Sequence, residues 1–134
     1  MKKGRNTIDI KCGTDTITKE VIGCAIEVHR ELGPGLLESA YEECLVYELE
    51  SKGIEVERQV DLPIKYKNID LKSGYKIDIL IPEMLVIELK TVEKLLPVHQ
   101  SQILTYLRIS EINTGLLINF YTTLLKNGIK RIVL

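Results

Sequence analysis

The stretch YKIDILIPEMLVIELK (residues 75–90) holds two apolar runs on either side of a proline, each with an acid set into it. Strand side chains alternate faces, so residues two apart share one. In MLVIELK, Glu88 and Lys90 then fall on one face, and Leu85, Ile87 and Leu89 on the other. In YKIDILI, Asp78 shares its face with Lys76 and Leu80, against Tyr75, Ile77, Ile79 and Ile81. How the two runs meet depends on the loop. A two-residue turn pairs Asp78 with Ile87 and sends the carboxylates to opposite faces, whereas a three-residue loop over 82–84 pairs Asp78 with Glu88 on one face. The odd-length loop, or an equivalent bulge, is the expectation.

Upstream of this hairpin the pattern is helical. Val21, Ala25, Val28 and Leu32 lie on one stripe and predict a helix over about residues 17–32, with Gly33 placed to end it and Pro34 preventing its continuation. A second helix is expected over about residues 35–52, stopped by Gly53. Residues 54–62 and 64–66 read as a bent or paired strand unit broken by Pro63. Downstream, a third helix begins near Pro97 and runs to about Ser110, and TGLLINFY and IKRIVL close the chain as strands. The order α-α-β-β-β-α-β-β predicts an α/β fold, a mixed β-sheet flanked by helices. One domain is expected over residues 1–134, with residues 1–16 as an irregular N-terminal segment.

Composition narrows the class. Hydrophobic residues make up 45% and charged residues 28%, as in ordinary globular proteins. No apolar run approaches the roughly 18 residues of a membrane span, and the basic start MKKGRNTIDIKCGTD has no apolar segment behind it, so no secretory signal is expected. Cys12, Cys24 and Cys44 form no CxxC pair. They read as reduced thiols of a cytoplasmic protein, two of them buried in helices, and they supply neither a structural zinc site nor an iron–sulfur cluster. A net charge of −1 removes the simplest argument for nucleic-acid binding. Local clusters remain at Lys65, Lys67, Lys72 and Lys76 and at Lys126, Lys130 and Arg131, and such clusters are most often solvated faces.

Two carboxylates facing each other across neighbouring strands need a reason. Unit charges about 4 Å apart repel by about 4 kcal/mol at an effective dielectric of about 20. Protonating one acid, pairing with Lys90 or binding a hard divalent cation would each relieve that repulsion. Mg²⁺ takes carboxylate and water oxygens, and an amine beside it can orient water or stabilise charge on a phosphate, so this set suits metal-assisted phosphodiester hydrolysis. The plainer alternative is a solvated sheet face with cross-strand salt bridges. In GLLESAYEECL, Glu38, Tyr41, Leu45 and Leu49 share one helical stripe, which turns Glu38 toward the sheet; an acid favoured in a first helical turn is the competing reading. Gln102 and Tyr106 share a face of the third helix, where an amide and a phenol could hold substrate or brace metal ligands, or simply pack.

Taken together, these residues resemble a known family. GLLESAY carries the motif that names the GxxExxY proteins, and VHRELGPGLLESAYEECL resembles them almost throughout. GYKID, IELKT and QILTY resemble the PD-(D/E)xK nuclease superfamily, in particular its RecB-like branch, with Ile77 standing where the name-giving proline would be. The resemblance implies a restriction-endonuclease-like core, with Asp78, Glu88 and Glu38 as metal ligands for Mg²⁺ or Mn²⁺ and Lys90 as the catalytic lysine. It implies supporting or substrate-binding roles for Tyr41, Gln102 and Tyr106, and for His29 as a brace to Glu38; a satisfied structural histidine is the plainer reading of His29. The implied activity is cleavage of nucleic acid, DNA foremost, in the cytoplasm and away from membranes. A homodimer or larger complex would extend the reach of so small a domain. Two other readings compete: a nucleic-acid- or protein-binding module that kept the fold without turnover, and a structural subunit with salt-bridged strands.

Overall fold

A computed structural model of the chain describes residues 13–72 and 74–134. Helix α1 (Gly13–Leu32) starts at Gly13, four residues before the periodicity places it, and Asp15 lies in its first turn. Of the segment read as irregular, residues 13–16 are therefore helical, while residues 1–12, Cys12 included, lie outside the described residues. Ile17, Val21, Cys24, Ala25 and Val28 form the buried stripe of α1, but Leu32 stays 36% exposed. Gly33 takes a left-handed φ of 69° and its N–H donates to the His29 carbonyl at 2.7 Å, a glycine stop of the kind expected.

Helix α2 (Glu38–Ser51) begins three residues later than the sequence suggests. Gly35, at φ 101°, is outside the helical region. The loop is held by the Tyr41 hydroxyl, which donates to the Gly33 carbonyl and accepts the Leu36 N–H at 3.2 Å. Tyr41 is fully buried and stacks on Phe120 with ring centroids 4.3 Å apart. The helix that presents Glu38 is thus anchored from its first turn.

Strands β1 (Glu57–Asp61), β4 (Lys76–Ile81), β5 (Leu85–Lys90), β6 (Thr114–Asn119) and β7 (Ile129–Val133) form one sheet in the order β1-β4-β5-β6-β7. Between β1 and β4 the chain makes a separate two-stranded hairpin, β2 (Lys65–Tyr66) and β3 (Ile69–Asp70), where the sequence reading joins residues 64–66 to residues 54–62 in a bent or paired unit and places no strand at residues 69–70. Helix α3 (Pro97–Ser110) has the predicted bounds and carries the chain from β5 to β6, which pair in parallel; the other neighbours are antiparallel. A crossover of this kind needs a dozen or more residues, which α3 supplies. Helices α1 and α2 pack with Ile79, Ile81, Leu85, Ile87, Leu89, Leu116 and Ile118, whereas Ile103, Tyr106 and Leu107 of α3 pack with Val86 and Ile77. The expected mixed sheet flanked by helices is the observed fold. Cys24 is buried, but Cys44 is only half-buried, contrary to expectation.

Two glycines test this packing in opposite directions. A Cβ on Gly128 would stand 2.4 Å from the Asn119 carbonyl oxygen, which cannot move aside as a side chain could. Gly128→Ala is expected to lower stability by about 1–3 kcal/mol. Gly23 lies inside α1 with nothing within 4 Å of its added Cβ, so Gly23→Ala is expected to raise stability by about 0.5–1 kcal/mol. Urea midpoints at constant m-value would measure both.

Candidate active site

The hairpin between β4 and β5 closes through the three-residue loop 82–84, with the Met84 N–H donating to the Ile81 carbonyl at 2.9 Å and Glu83 at a φ of 67°. Ile81 faces Leu85, Leu80 faces Val86 and Ile79 faces Ile87. One step further, Asp78 comes opposite Glu88, and side chains take over from the paired backbone. The Asp78 N–H donates to Glu88 Oε2 at 3.0 Å and the Leu89 N–H donates to Asp78 Oδ2 at 2.8 Å. Each carboxylate thus accepts an amide of the facing strand, which is how two acids can be kept at one point of a sheet.

The faces differ from simple alternation. Asp78 was expected opposite Ile77, Ile79 and Ile81 alike; instead Ile77 packs with the α3-side residues while Ile79 and Ile81 pack against α1 and α2. The alternation slips at Asp78. It slips in β1 too, where Gln59, between the Arg58–Ile79 and Val60–Ile77 pairs, has a φ of 48°. As a result two consecutive residues reach the same acid on α2: Arg58 Nε lies 3.1 Å from Glu42 Oε2 and Gln59 Nε2 lies 2.7 Å from Glu42 Oε1. Gln59 Nε2 also reaches Asp78 Oδ1 at 3.4 Å. A left-handed, bulge-like residue in a strand re-aims side chains in this way.

The electrostatics follow from this crowding. Burial, then the Asp78 charge, pushes the Glu88 carboxyl up to about 8, against the opposing pull of the Asp78 amide and Lys90. Asp78 is raised by burial and by Glu42, with the Leu89 amide and Gln59 acting the other way. Burial and Asp78 raise Glu38, while Lys90 and the Thr91 amide lower it. The Lys90 amine therefore acts on all three acids. It forms no hydrogen bond or ion pair with any side chain among the described residues. Tyr106 of α3 is 4% exposed, and its phenol is raised by burial and then by Glu88 and Asp78, so it stays an O–H donor beside them.

The segment after Lys90 is fixed by Asn119, which is buried and spans Val92 from both sides: its Nδ2 donates to the Val92 carbonyl at 2.8 Å and its Oδ1 accepts the Val92 N–H at 3.1 Å. That clamp steadies the chain beside Thr91, whose amide faces Glu38.

Of the residues singled out in the sequence, Glu38, Asp78, Glu88, Lys90 and Tyr106 thus share one electrostatic environment. Tyr41 is buried against Phe120 and ties the loop ahead of Glu38. Gln102 is half-buried on α3 and forms no hydrogen bond among the described residues. His29 does not brace Glu38: its Nε2 pairs with the Thr122 carbonyl at 2.8 Å and its ring leans on Phe120. Glu42, Arg58, Gln59 and Asn119 are site neighbours that sequence reasoning missed. Only Glu42 left a signal, one helical turn beyond Glu38 on the same stripe.

The donor set is hard oxygen, which suits Mg²⁺ or Mn²⁺. Among the described residues, however, no three His, Cys, Asp or Glu side chains are gathered closely enough to hold a metal ion. Like charges in a poorly hydrated site stay apart and take N–H donors.

A family model described as the PD-(D/E)XK nuclease superfamily matches residues 15–132. No curated protein and no solved structure matches the chain. The match takes in all three helices from Asp15 onward, the acid-bearing hairpin and the closing strands, and the chain belongs to the PD-(D/E)XK nuclease superfamily.

Proposed function

We propose that this protein is a metal-dependent nuclease that hydrolyses phosphodiester bonds, with DNA as its substrate. The observation that carries this reading is the meeting of Asp78 and Glu88 across the β4–β5 hairpin, with Lys90 on the same strand as Glu88 and its charge acting on both acids. Asp78 and Glu88 would hold Mg²⁺ or Mn²⁺, with Glu38 contributing from α2; a bound cation supplies a polarised phosphate and a more acidic water. The remaining work falls to the chain's own groups. Lys90 orients the attacking water and donates to a non-bridging phosphate oxygen as charge builds there. Tyr106, protonated at neutral pH, offers a second donor, and Glu38, more solvated than the other two acids, is placed to accept a proton from water. Ahead of β4 in the chain, Lys67 of the β2–β3 turn and the exposed Lys72 that follows offer cations to a phosphate backbone, whereas Lys65 is ion-paired with Asp70. The string GLLESAY and the ordered later motifs support a place among the GxxExxY proteins and the RecB-like branch, and three cysteines with no CxxC pair support action in the cytoplasm.

The competing reading, a binding module without turnover, is favoured by one observation: Asp78 and Glu88 are engaged by strand amides, and among the described residues no third acid closes in to complete a metal-holding group. Cleavage assays on linear duplex and single-stranded DNA with Mg²⁺ or Mn²⁺ separate the two. The wild type is expected to cut, chelator to stop it, and Lys90→Ala to lower kcat by about a hundredfold or more. Absent cleavage, or cleavage undiminished in Lys90→Ala, would sink the nuclease reading.

A pH profile tests the electrostatics separately. Glu88 holds its proton more tightly folded, at about 8, than its ordinary 4.5. The stabilisation from that proton is complete below about pH 4.5 and is lost as pH rises through about 8. Glu88→Gln keeps the shape without the charge. In chelator, its Tm is expected to exceed that of the wild type by a margin that grows between about pH 5 and about pH 8, and divalent cations are expected to stabilise the wild type more than the variant. A margin that does not change with pH would refute this account of Glu88.

A further inference from the structure

Gln59 is the non-glycine residue of β1 with a left-handed backbone, at a φ of 48°. An L-residue there costs roughly 1–2 kcal/mol, and glutamine has no short polar side chain to offset it locally. Such an outlier persists where its surroundings over-determine it, and in this strand the surroundings are the acids of the site. Turning left at Gln59 places its amide between two carboxylates on different elements: Glu42 Oε1 of α2 at 2.7 Å and Asp78 Oδ1 of β4 at 3.4 Å. Glu42 is itself 7% exposed and fixed from its other oxygen by Arg58. Asp78 is then held from both ends, Oδ1 by Gln59 and Oδ2 by the Leu89 amide.

We propose that Gln59 is a positioning residue that sets the Asp78 carboxylate against the fixed Glu42–Arg58 pair, and that its strained backbone is retained for this purpose. The proposal rests on the nuclease reading for its effect on turnover, but not for its effect on geometry. Glutamine suits the task for a definite reason: both hydrogens of one amide nitrogen can be donated, one to each acid, without adding a charge. A carboxylate here would be a further anion among Glu42, Asp78 and Glu88, and a shorter amide would not span from β1 to α2.

Gln59→Gly and Gln59→Asn both tolerate the left-handed φ, so neither should impair folding. In each, hydrogen exchange of the Leu89 amide is expected to accelerate while the exchange of other sheet amides holds, because that N–H reports where the Asp78 carboxylate lies. Mn²⁺ affinity is expected to fall about tenfold or more, as for loss of a partner to a metal ligand. In the cleavage assay kcat is expected to fall by about tenfold to a hundredfold with KM little changed, while the Tm of Gln59→Gly in chelator stays level or rises. Leu89 exchange and Mn²⁺ affinity at wild-type values would overturn the proposal. Faster exchange throughout the sheet would also overturn it, since Gln59 would then only support the fold. If the wild type cuts no nucleic acid while the Leu89 and Mn²⁺ changes occur, the positioning role stands and the nuclease reading fails.

Discussion

The site depends on one arrangement: Glu88, 4% exposed, placed opposite Asp78 at the point where the β4–β5 pairing hands over to side chains. Burying an acid beside another acid is unfavourable on both counts, through lost hydration and through like-charge repulsion. Three features offset it. The Asp78 and Leu89 amides, released from cross-strand carbonyls, donate to Glu88 and Asp78 in turn. The Lys90 amine acts on both acids. Glu88 also binds its proton unusually tightly. A hydrogen bond to a charged group is worth roughly 1.5–3 kcal/mol, so the two amides alone go a long way toward stabilising the pair.

The rest of the fold holds other groups around that point. Tyr41, stacked on Phe120 and bonded to the loop at Gly33 and Leu36, fixes where α2 begins and so where Glu38 stands. Phe120 follows β6, and its N–H donates to the Lys90 carbonyl at 2.9 Å, joining the aromatic stack to the end of the strand that carries the lysine. His29 tethers the loop after β6 through Thr122, and Asn119 clamps Val92. The end of β5 is therefore held from α1, α2 and β6 at once. This explains why the tyrosine of ESAY is buried: it is needed for the entry of the helix, and the glutamate three residues earlier occupies the first turn.

Much of this was legible in the sequence because the relevant signals are local. Pro97 at a helix start and the apolar period to Ser110 fixed α3, and strand parity with an odd loop was enough to bring Asp78 opposite Glu88. Tyr106 followed from helical spacing relative to its neighbours. What was not legible depends on contacts and backbone turns that fall outside helical or strand spacing. The late start of α2 follows from a hydroxyl five residues into the chain beyond Leu36 taking up loop backbone groups, which competes with helix propensity. His29 pairs with a residue far along the chain, as a satisfied structural histidine and not as the brace to Glu38 that the resemblance implies. Gln59 was invisible because glutamine has no preference for the left-handed region, and period-two reasoning assumes that no residue visits it. That assumption also misassigned the face of Ile77.

The slip at Gln59 and Asp78 has a consequence for how the sheet serves two layers. With strict alternation, the residues of β4 beside Asp78 would present one apolar face throughout, to α1 and α2, and the acid would point toward α3. Reversing the phase in both β1 and β4 lets Val60 and Ile77 fill the α3 side while Arg58, Gln59 and Ile79 serve the α2 side. Because the two strands reverse at facing positions, their register on either side of the slip is unchanged, with Arg58 opposite Ile79 and Val60 opposite Ile77. A change in one strand alone would leave an unpaired residue and shift every later pair by one, sending apolar side chains to solvent. A matched reversal alters the facing only, so Arg58 and Gln59 can both reach Glu42 of α2 while the hydrophobic core on each side stays continuous.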